Sequence, residues 1–367
     1  MAHRLCSEAT SDKETAETAI PVKKLATSRT LHHSEHMATL IHSIAVSGEN
    51  FLDTLKKDQG PPEQLHLQPY FGYSTPEHIV LRGRALEADT TRASNDTPSL
   101  VDNLAAMAAL FMTREIKGEA VRVGKFAATT DDEGYYRLEL PRGRARAGWS
   151  EVAVRNDRVG RSVMHPVHVV SPRAEYGIIS DIDDTVMQTK AWSTRKNLWT
   201  TVTGSVGTRY VFPDAANLLR LMSGSMSGRK NPVFYVSSSP WNLHGFLDAV
   251  FTANGVVRGP KFLRDFGIDA TKMVVGRHGD HKGNAIDTIL AANPGLPFYL
   301  MGDSGQHDAQ VYADAVARHP GRIRGVFLRT EGAGLGEEDT TPIAAIEAAG
   351  VRTFAGETFE PLLQEFS

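Results

Sequence analysis

The sequence predicts an α/β fold over residues 173–367, with a parallel sheet flanked by helices. Short apolar runs alternate there with helical patterns, the signature of successive βαβ units. Several of these runs end in acidic or hydroxyl residues, and the carboxyl ends of strands are where open α/β sheets place their chemistry. Residues 67–172 instead carry short alternating runs separated by turn residues, and they predict a small β-sandwich-like domain. Residues 1–66 read as an extension with one helix.

In chain order, residues 1 to 30 are rich in Ser, Thr, Glu and Lys and are expected to be disordered. From 35 to 57, Met37, Leu40, Ile41, Ile44, Phe51, Leu52 and Leu55 share one helical face, which Gln59-Gly-Pro-Pro62 ends. His32, His33 and His36 find no completing ligand nearby and read as a solvated helix start. In the β region, strands are expected at 78–86, 121–127, 135–140, 151–154 and 165–170, with a turn at Asp131-Asp-Glu-Gly134 and a helix at 99–116. In the α/β region they are expected near 177–180, 233–236, 273–275, 298–301 and 323–328, with helices at 214–222, 241–253, 283–292 and 307–318.

Composition narrows the function classes. The 40 basic and 43 acidic residues leave a net charge of −3, so no bulk field favours nucleic acid. A lone Cys6 excludes an intrachain disulfide framework and fits a reducing cytoplasm. The longest apolar runs fall short of the roughly 18 residues that a membrane span requires. The expectation is a cytoplasmic protein, at most peripheral on a membrane.

The chemistry gathers at four strand ends. The run Tyr176-Gly-Ile-Ile-Ser180 delivers Asp181 and Asp183, with Asp184 and Thr185 behind them. Carboxylates at i and i+2 repel unless a cation or shared proton compensates. The second run ends in Ser237-Ser-Ser-Pro240, and a serine beside helix-start N–H groups suits a phosphate oxygen. Lys282 opens the next helix against its dipole, a placement that an anion would explain. The fourth run ends in Gly302-Asp-Ser-Gly-Gln-His-Asp308, where Asp303 and Asp308 add hard oxygen ligands of the kind Mg²⁺ takes. His278, Asp280 and His281 read as loop residues.

This ordered set resembles the haloacid-dehalogenase superfamily. The wording of Asp181-Ile-Asp-Asp-Thr185, Tyr235-Val-Ser-Ser-Ser-Pro-Trp241, His281-Lys282, Gly302-Asp-Ser-Gly-Gln306 and Phe327-Leu-Arg329 resembles the Mg²⁺-dependent actin-patch phosphatidate phosphatases within it. The resemblance covers 175–330 and extends loosely through Asp131-Asp-Glu-Gly-Tyr-Tyr136. It implies a doubly wound three-layer α/β/α sheet with a minimal cap, and hydrolysis of a phosphomonoester through an aspartyl-phosphate. By the same resemblance Asp181 is the nucleophile and Asp183 the general acid and base. Mg²⁺ is held by Asp181, the carbonyl of Asp183, Asp303 and Asp308, while Ser237, Lys282 and Thr185 serve the phosphate. Asp184 and Thr185 also brace the loop.

Only residues 186–212 are free to form a flap, and family logic assigns capless sites to macromolecular or surface-bound substrates. Trp192, Leu198, Trp199, Val202 and Phe212 on it suit acyl chains or packing on the domain equally. The leading expectation is phosphatidate, or another phosphomonoester at a membrane surface, converted to diacylglycerol and phosphate. The rivals are a phosphoprotein or nucleic-acid-end phosphatase of the same fold, and a non-catalytic scaffold using the β domain.

Overall fold

A computed structural model of the protein describes residues 65–87, 116–160, 162–189, 211–224, 230–264, 280–305, 307–330 and 334–367. The expected disordered start, the helix at 35–57, residues 99–115 of the helix expected at 99–116, the strand at 273–275, His278 and flap residues Trp192, Leu198, Trp199 and Val202 lie outside them. Pro61–Ser367 forms one compact unit. The boundary expected near residue 172 therefore separates two sheets within one unit.

Seven strands build the first sheet: β1 (Leu65–Ser74), β2 (His78–Glu87), β3 (Ala120–Val123), β4 (Phe126–Thr129), β5 (Tyr135–Pro141), β6 (Gly148–Arg155) and β7 (Ser162–Val169). They hydrogen-bond in the order β4-β3-β6-β7-β1-β2-β5, and β4 and β5, at the two ends of that order, approach each other. The region expected to be β-sandwich-like is thus one continuously hydrogen-bonded sheet whose two ends come together. Alternation explains its core: Leu67, Leu81, Val121, Leu138, Val154 and Val167 face inward at every second position along their strands. The strand expected at 121–127 is a tight hairpin, because Gly124 at φ +57° takes the left-handed conformation that turns β3 into β4. Strand β1 was not anticipated. Its burial is nearly continuous over Tyr70–Ser74, so it lacks the period-two signal by which half-exposed strands are read.

The second sheet is parallel throughout. Its strands are β8 (Gly177–Asp181), β9 (Val233–Pro240), β10 (Lys261–Arg264), β11 (Phe298–Asp303), β12 (Ile323–Arg329) and β13 (Arg352–Gly356). Their order is β10-β9-β8-β11-β12-β13, all neighbours parallel, so the winding reverses between β8 and β11. Helices α1 (Pro213–Ser223) and α2 (His244–Ala253) pack on one face through Ile178, Tyr235 and Met301. Helices α3 (Asp280–Ala292), α4 (Asp308–Arg318) and α5 (Glu337–Ala348) cover the other through Ile179, Phe234 and Leu300. A short α6 (Glu360–Leu363) ends the chain beside α1. Strands buried on both faces read as unbroken apolar runs, and this is how 177–180, 233–236 and 298–301 could be read from sequence. Such a sheet opens its ligand crevice at the carboxyl ends beside the reversal.

Candidate active site

Asp181 is the last residue of β8, paired with Val236 of β9, and Asp303 is the last of β11. The two strands flanking the winding reversal thus end in acids on one edge of the sheet. Lys282 reaches the same place from the first turn of α3, and Asp308 from the first residue of α4. One ligand oxygen from each of Asp181, Asp303 and Asp308 lies within 4.8 Å of the others. Lys282 Nζ pairs with Asp181 Oδ1 at 2.8 Å, in a direction short of a good hydrogen bond, and donates closely to Asp308 Oδ1. All four side chains are buried.

Gly302 makes this approach possible. A Cβ there would lie 2.5 Å from Asp308 Oδ2 and 2.7 Å from the Tyr312 hydroxyl, closer than real contacts allow. Asp308 Oδ2 accepts the Asp303 amide at 3.4 Å, and Asp303 Oδ2 accepts the Gly305 amide at 2.8 Å. Asp303 Oδ1 is buried with no partner.

The electrostatics are those of a cluster with too much negative charge. Burial, with Asp308 and Asp181 close by, pushes the Asp303 carboxyl up to about 9. Burial likewise raises Asp181 well above the usual carboxylate range, against the pull of Lys282. Burial draws the Lys282 ammonium down, but Asp181, Asp308 and Asp303 outweigh it and hold the ammonium above its ordinary value. A single cation against three acids leaves the cluster undercompensated. An orphaned buried carboxylate oxygen and three convergent hard ligands fit one small divalent cation.

Asp183 stands apart from this trio. Its Oδ2 accepts the Ser237 hydroxyl at 2.6 Å and the Ser239 hydroxyl at 3.1 Å, and the Ser239 amide donates to Ser237 Oγ at 2.9 Å. Burial raises Asp183, with Ser237 first among the groups opposing it. Ser237, expected at the phosphate, is here committed to Asp183. Ser239 was not singled out: three serines in a row look alike until β9 fixes which of them face β8.

Thr185 donates to Asp181 Oδ2 at 3.3 Å, and Asp184 Oδ1 accepts the Thr189 amide at 2.8 Å. Asp184 adopts φ +56°, a strained conformation for a residue with a Cβ, and this turns the loop sharply behind Asp181. Thr185, expected at the phosphate, is here engaged with Asp181, and Asp184 with the loop backbone. Arg329, at the end of β12, holds the same loop from below. It donates to the Thr185 carbonyl at 3.3 Å, the Glu357 carbonyl at 2.6 Å and Asp214 Oδ2 at 2.8 Å. Phe212, expected on the flap, packs under that guanidinium with its ring centre 4.0 Å away. Asp280 and His281, read from the sequence as loop residues, instead open helix α3.

The site is thus a parallel α/β sheet with acids, a lysine and hydroxyls gathered at its reversal point. Residues 176–330 match the family model described as "Phosphatidate phosphatase APP1, catalytic domain". Phosphatidate phosphatase APP1 of Saccharomyces cerevisiae is 28% identical over 164 residues, 45% of this chain and 27% of its own length. An uncharacterised Schizosaccharomyces pombe protein is 27% identical over 259 residues, 67% of this chain and 42% of its own. The chain thus spans less than half the length of these curated relatives. Among solved structures, an intact type IV self-sufficient cytochrome P450 monooxygenase aligns over 75% of this chain and 29% of that one. Its TM-score of 0.21 and identity of 11% carry no argument.

Proposed function

We propose that the protein is a Mg²⁺-dependent phosphomonoester hydrolase of the haloacid-dehalogenase type, working through an aspartyl-phosphate, with phosphatidate as its substrate. The observation that carries this reading is the buried trio Asp181, Asp303 and Asp308 around Lys282, with Asp303 Oδ1 left unpartnered. The match of 176–330 to the family model, and the yeast relative named a phosphatidate phosphatase, support the substrate.

In this reading an Asp181 oxygen attacks phosphorus as the ester P–O bond breaks, and the bond's electron pair leaves with the alkoxide. Asp183, whose carboxyl burial raises above the ordinary range, gives its proton to that alkoxide, and diacylglycerol departs. Asp183 then takes a proton from water, whose oxygen attacks the phosphoryl group and returns Asp181 as a carboxylate. The hydroxyls of Ser237 and Ser239 fix the acid's orientation through both steps. Lys282 faces the phosphoryl oxygens from the α3 N-terminus, where charge neutralisation matters most. Mg²⁺ on Asp181, Asp303 and Asp308 would supply further neutralisation.

The test is phosphate release from phosphatidate in mixed micelles, from phosphopeptides and from end-phosphorylated oligonucleotides, each in Mg²⁺ and in EDTA. The reading requires release from phosphatidate, in Mg²⁺ alone. Preference for peptides or oligonucleotides would keep the chemistry and replace the substrate. Release that persists in EDTA would contradict the metal.

A further inference from the structure

Away from the acidic cluster, a cavity of about 380 Å³ opens between the first sheet and the turn that follows β9. Its walls include Arg82, Arg137, Tyr70, Tyr135, Tyr136 and Trp241. This volume lies within the range of sites that enclose compact ligands.

The charge of the wall is unbalanced. The Arg82 guanidinium lies over the rings of Tyr73, Phe262 and Trp241, at 5.1, 4.4 and 4.9 Å from their centres. It donates to the carbonyls of Phe71 at 3.2 Å and Lys261 at 3.0 Å, and its Nε is buried with no partner. No ion pair joins it to a carboxylate among the described residues, and burial pushes it down to about 10. Arg137 has Glu139 as a partner and reaches the Tyr73 hydroxyl at 3.2 Å. Asp131, the acid on the wall, is turned to its own loop, where Oδ1 accepts the amides of Glu133 and Tyr135. A desolvated cation without a counter-ion is costly, and a guanidinium fork is shaped to take an oxyanion.

We infer that this cavity binds a small molecule bearing a phosphate or carboxylate group, its oxyanion held by Arg82 and Arg137 and its apolar body against Tyr135 and Trp241. The site is separate from the acidic cluster and does not depend on the phosphatase reading. Trp241 follows Ser239 by two residues, so the cavity adjoins the end of β9, which carries both serines holding Asp183.

Binding is measured on the full chain in EDTA, where the uncompensated acids of the other centre repel anions. Inorganic phosphate and phenyl phosphate are titrated by calorimetry and by tryptophan fluorescence. Phosphatidylcholine vesicles with and without a phosphomonoester lipid are tested by co-sedimentation. The expected result is saturable binding, tighter for phenyl phosphate than for phosphate and weakened at least tenfold in Arg82→Gln. Lipid-dependent sedimentation lost in the same variant identifies the source as a headgroup, and binding of the soluble probes alone identifies a free metabolite. Arg137→Gln, at a half-exposed position, should weaken binding several-fold and decides the matter if Arg82→Gln fails to fold. Absence of saturable binding, or affinity unchanged in every folded variant, overturns the inference.

Discussion

At the residue scale the proposed chemistry rests on the division between Asp181 and Asp183. Asp181→Asn is nearly isosteric but removes the nucleophile, so turnover should fall by about 10⁵–10⁶ while the fold is retained. Ser237→Ala takes away the closer of two hydroxyls on Asp183 and should lower kcat/KM by about 10–100-fold. Burial already raises the Asp183 carboxyl, and Ser237 leads what opposes the rise. Removing that hydroxyl raises it further, so Asp183 stays protonated to higher pH. The alkaline limb of the kcat/KM profile should therefore move up. A profile that moves down would remove Asp183 from the role of acid. Asp181, Asp183 and Asp303 stood out in sequence because they end or closely follow an apolar run, and Lys282 and Asp308 because they open helices. Ser239 and the bracing by Arg329 were not, since both depend on which β-strand positions lie side by side.

At the scale of elements, Arg329 ties β12 to the loop behind β8, to α1 through Asp214 and to the chain before α6 through Glu357. Asp214 also accepts the Thr358 hydroxyl at 2.9 Å and the Phe359 amide at 2.6 Å. Arg329→Met would leave Asp214 buried and short of a counter-charge, a loss of about 3–5 kcal/mol by denaturant unfolding. Strand β7 supplies a pH test. Burial pushes His165 and His168 down from 6.5 to about 4. Between these values the unfolded chain binds protons that the folded chain refuses, so stability rises with pH across that window and falls on acidification. Each site is worth roughly 3 kcal/mol at full extent. His168→Phe should accordingly shrink the acid-induced loss between pH 6.5 and 4, read by calorimetry at several pH values. An unchanged loss would contradict the account. Strand β10 and strand β13 escaped the sequence reading because each is a short edge strand with a weak apolar run.

At the scale of the whole molecule, the two sheets of Pro61–Ser367 are joined by desolvated cations and rings. Tyr70 of β1 stacks on Trp241 with centroids 4.7 Å apart. Arg258 lies over both Phe71 and Trp149, at 4.4 and 4.3 Å. Lys261, its side chain fully buried, pairs with Asp248 at 3.0 Å and faces Phe71 at 4.5 Å. The α/β sheet expressed alone as 173–367 would expose these groups. It should unfold well below the longer chain, which should show one cooperative transition. The two regions were legible as a change of hydrophobic period, but their union was not. Contacts between residues about 180 positions apart, such as Arg82 with the Lys261 carbonyl, leave no periodic trace.

The central claim is that Asp181 becomes phosphorylated by its substrate. It is tested most directly by mixing the enzyme and Mg²⁺ with phosphatidate labelled in its phosphate, quenching in acid within a turnover, and mapping the label by mass spectrometry. The account predicts an acid-stable, hydroxylamine-labile phosphoryl group on Asp181, absent in Asp181→Asn. Turnover of phosphatidate by the parent enzyme with the label on a different residue, or with undiminished turnover in Asp181→Asn, would contradict it.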